Sequence, residues 1–319
     1  MTTSLDIMCI GDLDVDFYIA IPAMPGFDQK IAGRHLGQKP GGMSANFAVA
    51  VARMGKGVRL VAAVGDDAPG AQVLQQLAAE GVDLTFIARR KDATTFMCVV
   101  LLSPSGEKSL IKLESEAYLP RPDDLVPAAF DGIRHVHATY GSPSVTAKAF
   151  EIAGQRGQST SLDLEPPDIL NAPQHLAEVL ARTDTLFLNR EACKVASEAL
   201  EKALYPGLLQ PHGEIIITLG ASGCRRISAD GVLDVPGFHV RPVDTTGAGD
   251  CFAGAYLARK LEGASPPEAL EFANAAAALA TLDLGAQTAM PRRQAVETFL
   301  AEAGGYRHGQ ANRIGYLNA

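Results

Sequence analysis

The sequence predicts an α/β protein with a mostly parallel central sheet and helices on both of its faces. Two observations carry the prediction. Short β-rich runs alternate with helical patterns for most of the length, which implies βαβ units. The 319 residues also suit one large α/β unit, with no internal repeat or low-complexity tract to divide them.

In chain order, the first strand is the apolar run Ile7–Ile10. Residues 44–54, small and apolar behind Gly41 and Gly42, read as a helix that Ser44 can cap. Val58–Val64 returns to apolar and β-branched residues, and residues 71–80 are helical again. After an interruption the rhythm resumes: a strand at His135–Ala138, a helix near 145–155, a strand at Ser159–Leu164, a helix near 174–182, a strand at Thr185–Leu188, a helix near 190–204 and a strand at Glu214–Thr218. A small-residue helix follows the glycines at 247–249. Phe272–Leu282 is a buried helix between Glu271 and Asp283, short of the roughly 20 residues that a membrane span needs.

Two segments break the alternation. Phe17–Leu36 holds β-type residues with Pro22, Pro25, Gly26 and Gly33 but no helical period, and Thr94–Leu113 reads as two strands around S103-P-S-G-E107. Together, as approximately residues 14–38 and 92–114, they fit a small sheet standing off the main body; two ordinary surface hairpins are the alternative. The tail after Gly304 is polar and without pattern.

A formal net charge of -8 argues against a nucleic-acid backbone binder, so any anionic ligand is small and locally held. The five cysteines are single and show no metal spacing, and Met1–Asp6 has neither a basic nor an apolar leader pattern. The expected setting is the reducing cytoplasm, away from membranes.

Three stretches carry candidate chemistry. Val243–Ala255 reads V-D-T-T-G-A-G-D-C-F-A-G-A: glycines ahead of a helix start offer free N–H groups to an anion, with Asp250 beside them. G41-G-M-S-A-N46 places glycines and the bifunctional amide of Asn46 at another helix start, suited to a hydroxyl-rich ligand or merely to a capped core helix. Asp12, Asp14 and Asp16 alternate and share one face if the first strand continues through them. That run lacks the Gly and distal Glu of an EF-hand loop.

The combination G41-G-x-x-A-N46 with D244-T-T-G-A-G-D250 resembles the paired signatures of the PfkB, ribokinase-like, family of carbohydrate kinases. G65-D-D-A-P-G70, T218-L-G-A-S-G223 and G285-A-Q-T-A-M-P291 extend the resemblance over nearly the whole chain. It implies a ribokinase-like three-layer α/β/α sandwich, one kinase domain over 1–319 with a small β-sheet lid, and transfer of the ATP γ-phosphate to a sugar hydroxyl. By the same resemblance Asp250 is the catalytic base and Gly247, Ala248 and Gly249 form the anion hole. Asp14, Asp16, Gly42 and Asn46 match sugar-binding positions. Asn189, Thr218, Gly220, Gly223 and Asn274 match the nucleotide side, and Mg²⁺ accompanies ATP. Asp244 and Thr246, with the loop from Gly285 to Thr288, match a monovalent cation (K⁺) site of many members. A homodimer pairing through the lid is the expected assembly.

Two departures stand out. The family's N-x-x-E, which helps to organise Mg²⁺, is N189-R-E-A192 here, and position 43 is Met where ribose and phosphosugar kinases often carry Lys. A thioether offers no charge for a second phosphate, which favours an unphosphorylated sugar or one whose acidic group is bound elsewhere, for instance by Arg34 or Lys112. Arg34, Lys112 and Glu114 otherwise read as solvated surface charges, His135, His137 and His175 as structural, and Cys9 and Cys251 as packing. A nucleoside kinase of the same superfamily and a silent sugar-binding relative are the competing readings. The chain has neither G-x-x-x-x-G-K-[ST] nor a dinucleotide-binding G-x-G-x-x-G after its first strand.

Overall fold

A computed structural model describes residues 5–104 and 107–314, with residues 304–314 described by backbone alone. The central sheet has eight strands. β1 (Leu5–Ile10) lies beside β4 (Gly57–Val61) at one edge, and β9 (His135–Thr139), β10 (Ser159–Leu164), β11 (Thr185–Asn189) and β12 (Glu214–Thr218) follow on its other side, all parallel. The antiparallel hairpin β13 (Cys224–Ser228) and β14 (Gly231–Val235) closes the far edge.

Alternate residues of each strand enter opposite cores, the period of two that a sheet covered on both faces requires. Ile7 and Cys9 of β1 pack beneath α1 (Met43–Arg53), α2 (Ala68–Ala79), α7 (Ala248–Leu261) and α8 (Pro266–Ala280). Met8 and Ile10 face α3 (Pro143–Gln155), α5 (Leu176–Leu180) and α6 (Arg190–Ala199). The short α4 (Pro166–Asn171) and α9 (Ala286–Ala289) and the last helix, α10 (Arg293–Ile314), complete the layers. The chain leaves β1 toward β4 on one side and β9 on the other, so a crevice opens at the carboxyl ends of the strands.

A second, four-stranded sheet stands over that crevice: β3 (Arg34–Gly41), β2 (Asp14–Ala20), β7 (Met97–Leu102) and β8 (Lys108–Leu113), in that spatial order. Its register aligns Lys39, Asp16, Cys98 and Lys112 across one face and Gln38, Phe17, Val99 and Ile111 across the other. Cys98 and Lys112 line the crevice, so the first face is the one turned toward it.

Several local expectations change. The run 58–64 divides, and β5 (Ala63–Gly65) leaves the main sheet to pair with β6 (Ala88–Arg90). The helix expected over 190–204 ends at Ala199, because Glu201 takes a left-handed φ of 52°. Residues 174–182 form a 3₁₀ turn at Pro173–His175 and then α5. The β13–β14 hairpin adds two strands to those expected, with the hairpin dipeptide Asp230-Gly231 at its turn. The tail after Gly304 continues the backbone of α10 as far as Ile314 and then lies outside the described residues, as do the centre of the 103–107 turn and the first four residues. Among the described residues no helix is long and apolar enough to cross a membrane.

Candidate active site

The crevice is built from the strand ends. Past β1 the chain sends Asp12 under the first turn of α1, where its carboxylate accepts from the N–H groups of Met43 and Ser44, each at 3.0 Å. A carboxylate at that position satisfies orphan N–H groups and the positive helix end. Ser44 is therefore not the cap. Its hydroxyl donates to the Ile10 carbonyl and pairs with Thr139. The three alternating aspartates do not continue one strand, since β1 stops at Ile10 and β2 starts at Asp14. All three still line the crevice.

Gly41 and Gly42 make room for the protein's own groups. A Cβ on Gly41 would lie 2.1 Å from Asp14 Oδ1 and 2.9 Å from Asp16 Oδ2; one on Gly42, whose φ is 93°, would lie 2.8 Å from the Asp12 carbonyl oxygen. Asp14 is buried, and its Oδ1 has no hydrogen-bond partner. Burial and the Asp16 charge push the Asp14 carboxyl well above the usual range. Burial raises Asp16 to about 6, opposed by the ammonium of Lys108.

Opposite them, Gly247, with φ of 75°, caps α7, which carries Asp250 in its first turn. Gly254 lets α7 close on α1, because a Cβ there would sit 2.8 Å from Ala50 Cβ. The close approach brings Asn46 Nδ2 to 2.8 Å from Asp250 Oδ2. Gln287 donates from Nε2 to Asn46 Oδ1 at 3.0 Å, which fixes the orientation of the Asn46 amide. Asp250 is 8% exposed. Burial pushes its carboxyl up to about 8; the Asn46 hydrogen bond opposes the shift, and the charges of Asp12 and Glu165 add to it.

The end of β10 and the start of α4 contribute acids that sequence reasoning missed: Asp163, Glu165 and Asp168 all line the crevice. Burial, with Asp250 nearby, raises Asp163; burial and Asp168 raise Glu165; burial, with Asp12 adding, lifts Asp168 to about 6. The only signal for them was an acid-rich strand end, L162-D-L-E-P-P-D168. Lys112 is the one lysine or arginine on this crevice wall among the described residues; Arg34 and Glu114 are not part of it.

A second cleft adjoins the first. The acid-lined one measures 510 Å³ and the second, more apolar one 250 Å³; both touch Thr218, Thr245, Gly249 and Phe252. Gly220, Gly223 and Asn274 line the second. Gly223, with φ of 99°, permits the chain to pass the Val235 carbonyl, which a Cβ would approach to 2.1 Å. The Asn274 amide donates to the carbonyls of Val235 and Pro236, so it braces the cleft wall. Nothing lies within 4 Å of where a Cβ on Gly249 would be, and the two clefts meet there. Asn189 lies in the acid-lined cleft and caps α6, accepting from the Ala192 N–H at 2.8 Å. Ala192 is buried and Glu191 exposed, so neither brings a carboxylate to the cleft.

His135 and His137 are buried and hydrogen-bonded to Ser159 and Ser161, while Cys9 and Cys251 are buried thiols. The sequence profile of the pfkB family carbohydrate kinases matches residues 4–293. A ribokinase of Bacillus subtilis is 31% identical, with 93% of this chain and 99% of that protein covered. Fructokinase-1 of Zea mays is 30% identical over 93% and 98%. A structure from E. coli solved in complex with ATP and Mg²⁺ superposes with a TM-score of 0.80 at 26% identity, covering 93% of this chain and 99% of that one. The chain belongs to the pfkB family of carbohydrate kinases, phosphotransferases with an alcohol acceptor.

Proposed function

We propose that this carbohydrate kinase transfers the γ-phosphate of ATP to a hydroxyl of a small unphosphorylated sugar, with Asp250 accepting the hydroxyl proton. The observation that carries the reading is the position of Asp250: in the first turn of α7, held by Asn46, and one residue from the open Gly249 where the two clefts meet. The acid-lined cleft suits hydroxyl donors. Asp14 Oδ1, a buried acceptor without a partner, is satisfied when a sugar hydroxyl donates to it. The second cleft, apolar and bounded by the turn from Thr218 to Gly223, suits a nucleotide base and ribose. The amides of Gly247 and Gly249 then face the moving phosphoryl group, where positioning and charge neutralisation do most of the catalytic work, while that of Ala248 donates to the Thr245 carbonyl at 3.3 Å.

Mg²⁺ fits this donor set. Asp163 and Glu165 line the acid-rich cleft together, and Mg²⁺ usually takes one or two carboxylates together with substrate phosphates and water. Glu165, half-buried beside Asp163, would hold it in place of the Glu that is absent at position 192. Bound there, Mg²⁺ offsets phosphate charge. The protein's own part is to orient the hydroxyl through Asp14, Asp16 and Asn46 and to receive its proton at Asp250.

The testing experiment is ADP release with Mg²⁺ over ribose, fructose, 2-keto-3-deoxygluconate, tagatose, inosine and adenosine. Turnover with one of the sugars is expected. Turnover with nucleosides alone would select the nucleoside-kinase reading, and none with any acceptor would leave a silent binding protein. The relatives do not choose among sugars, since a ribokinase and a fructokinase are about equally similar.

The same reading places the enzyme in the cytoplasm and makes it a homodimer through the outer face of the small sheet, which acts as the lid. Phe17, Val99 and Ile111 align there, and Ile111 is 50% exposed. Ile111→Lys is expected to halve the mass measured by sedimentation equilibrium; a wild-type monomer at micromolar concentration would refute the pairing.

A further inference from the structure

We infer that two lysines of this chain, Lys39 and Lys108, supply the positive charge of a monovalent cation at the loop before the anion hole, so that the enzyme does not need K⁺. The inference rests on the kinase reading above. Sequence resemblance points to a K⁺ site at Asp244, Thr246 and the loop from Gly285 to Thr288, and the structure does bring these together. Asp244 Oδ2 accepts from the Gly285 N–H at 3.0 Å, and Oδ1 accepts from the Thr246 N–H at 3.0 Å and its hydroxyl at 2.6 Å. Both carboxylate oxygens are thus engaged by protein donors.

Two ammonium groups complete the cluster. Lys108 Nζ donates to Thr246 Oγ1 at 2.5 Å and lies 3.6 Å from Asp244 Oδ1. Lys39 Nζ donates to the Leu284 carbonyl at 2.9 Å and rests against Gly285, where a Cβ would come within 2.7 Å of it. Lys39 also stands opposite Asp16 in the β2–β3 ladder. Asp16 feels the charges of Lys108, Asp244 and Lys39, so the two ammonium groups sit among two acids of the same cluster. A K⁺ ion would meet two like charges beside an Asp244 carboxylate whose two oxygens already accept from protein donors, so these residues do not fit it. Both lysines belong to the small sheet, whose seating over the crevice brings Lys108 to Asp244 and Thr246 and Lys39 to Leu284 and Gly285.

The test compares thermal unfolding of nucleotide-free protein, and its affinity for Mg²⁺ with a non-hydrolysable ATP analogue, in potassium and tetramethylammonium chloride at equal ionic strength. Wild type is expected to respond equally to the two salts, with affinities within about twofold. Lys39→Met, Lys108→Met and the double variant are expected to bind the analogue roughly tenfold more weakly in tetramethylammonium and to recover with K⁺, which would also raise their melting temperature saturably. A saturable K⁺-specific shift in wild type, or variants indifferent to K⁺, would overturn the inference. Lys108 is 44% exposed on an edge strand, so its substitution leaves a folded variant even if that of Lys39 does not. Melting answers the cation question without nucleotide or sugar, whereas failure to bind nucleotide or to turn over sugar counts against the kinase reading alone.

Discussion

At the scale of single residues, the site turns on carboxylates whose environments raise their proton affinity. As the proposed base Asp250 must be ionised to take a proton, and in the free enzyme burial holds it near 8. The expected kcat/KM therefore rises with pH, with slope one, until it levels near that value; a plateau starting in the ordinary carboxylate range would mean another group is the base. Asp250→Asn should retain the fold and lose roughly 10²–10⁴ in kcat, measured by ADP release. Glu165→Gln tests the metal assignment: about tenfold more Mg²⁺ should be needed for half-maximal rate, whereas an unchanged Mg²⁺ titration would place the ion elsewhere. These residues were not equally legible. Asp250 and the glycines before it are legible as candidates because a helix start is local chemistry written in consecutive residues. Gln287 reaches Asn46 across 241 positions, and Asp163 and Glu165 gain their meaning only when β10 ends beside α7. Asp12 looked like a strand residue and proved to be a tertiary helix cap.

Among elements, the decisive contact is α1 against α7. The small residues of both helices were legible as a helical pattern, but their purpose, letting Asn46 and Asp250 meet, depends on a crossing that no local period encodes. Gly254→Ala puts a methyl 2.8 Å from Ala50 Cβ and 3.2 Å from the Phe47 carbonyl oxygen. Overpacking of this kind should cost about 1–3 kcal/mol and separate Asn46 from Asp250, lowering kcat as well as the melting temperature. Adding Ala50→Gly should restore part of both, because the two substitutions act on one contact. If Gly254→Ala alone melts and turns over like wild type, the close approach is not what sets the site. Elsewhere, the parallel strands followed from alternation alone, whereas the β5–β6 pair and the β13–β14 hairpin depended on pairings that a single run of sequence does not reveal.

For the whole molecule, the concentration of acids in one crevice makes folding a proton-linked equilibrium. The carboxyls of Asp14, Asp163 and Asp250 are raised in the folded state, so the stability they contribute is full below the unfolded range near 4 and is lost as pH climbs toward their folded values. His135 and His137 act in the opposite sense. Burial lowers both, His137 to about 3, so they remove stability as pH falls below their unfolded value of about 6.5 and contribute no slope above it. Carboxyls held low by partners, such as Glu262 at about 2, lose their contribution only under more acidic conditions still. Between about pH 6.5 and 8 the raised acids alone set the slope, and the melting temperature of the ligand-free protein should fall. Asp250→Asn removes one of them. Its stability should decline less steeply over that interval, by about 1.4 kcal/mol per pH unit, and at about pH 8.5 it should melt above wild type. Parallel melting curves for the two proteins across this range would show that Asp250 is already ionised at neutral pH, and that the acids of the crevice are better solvated than their burial indicates.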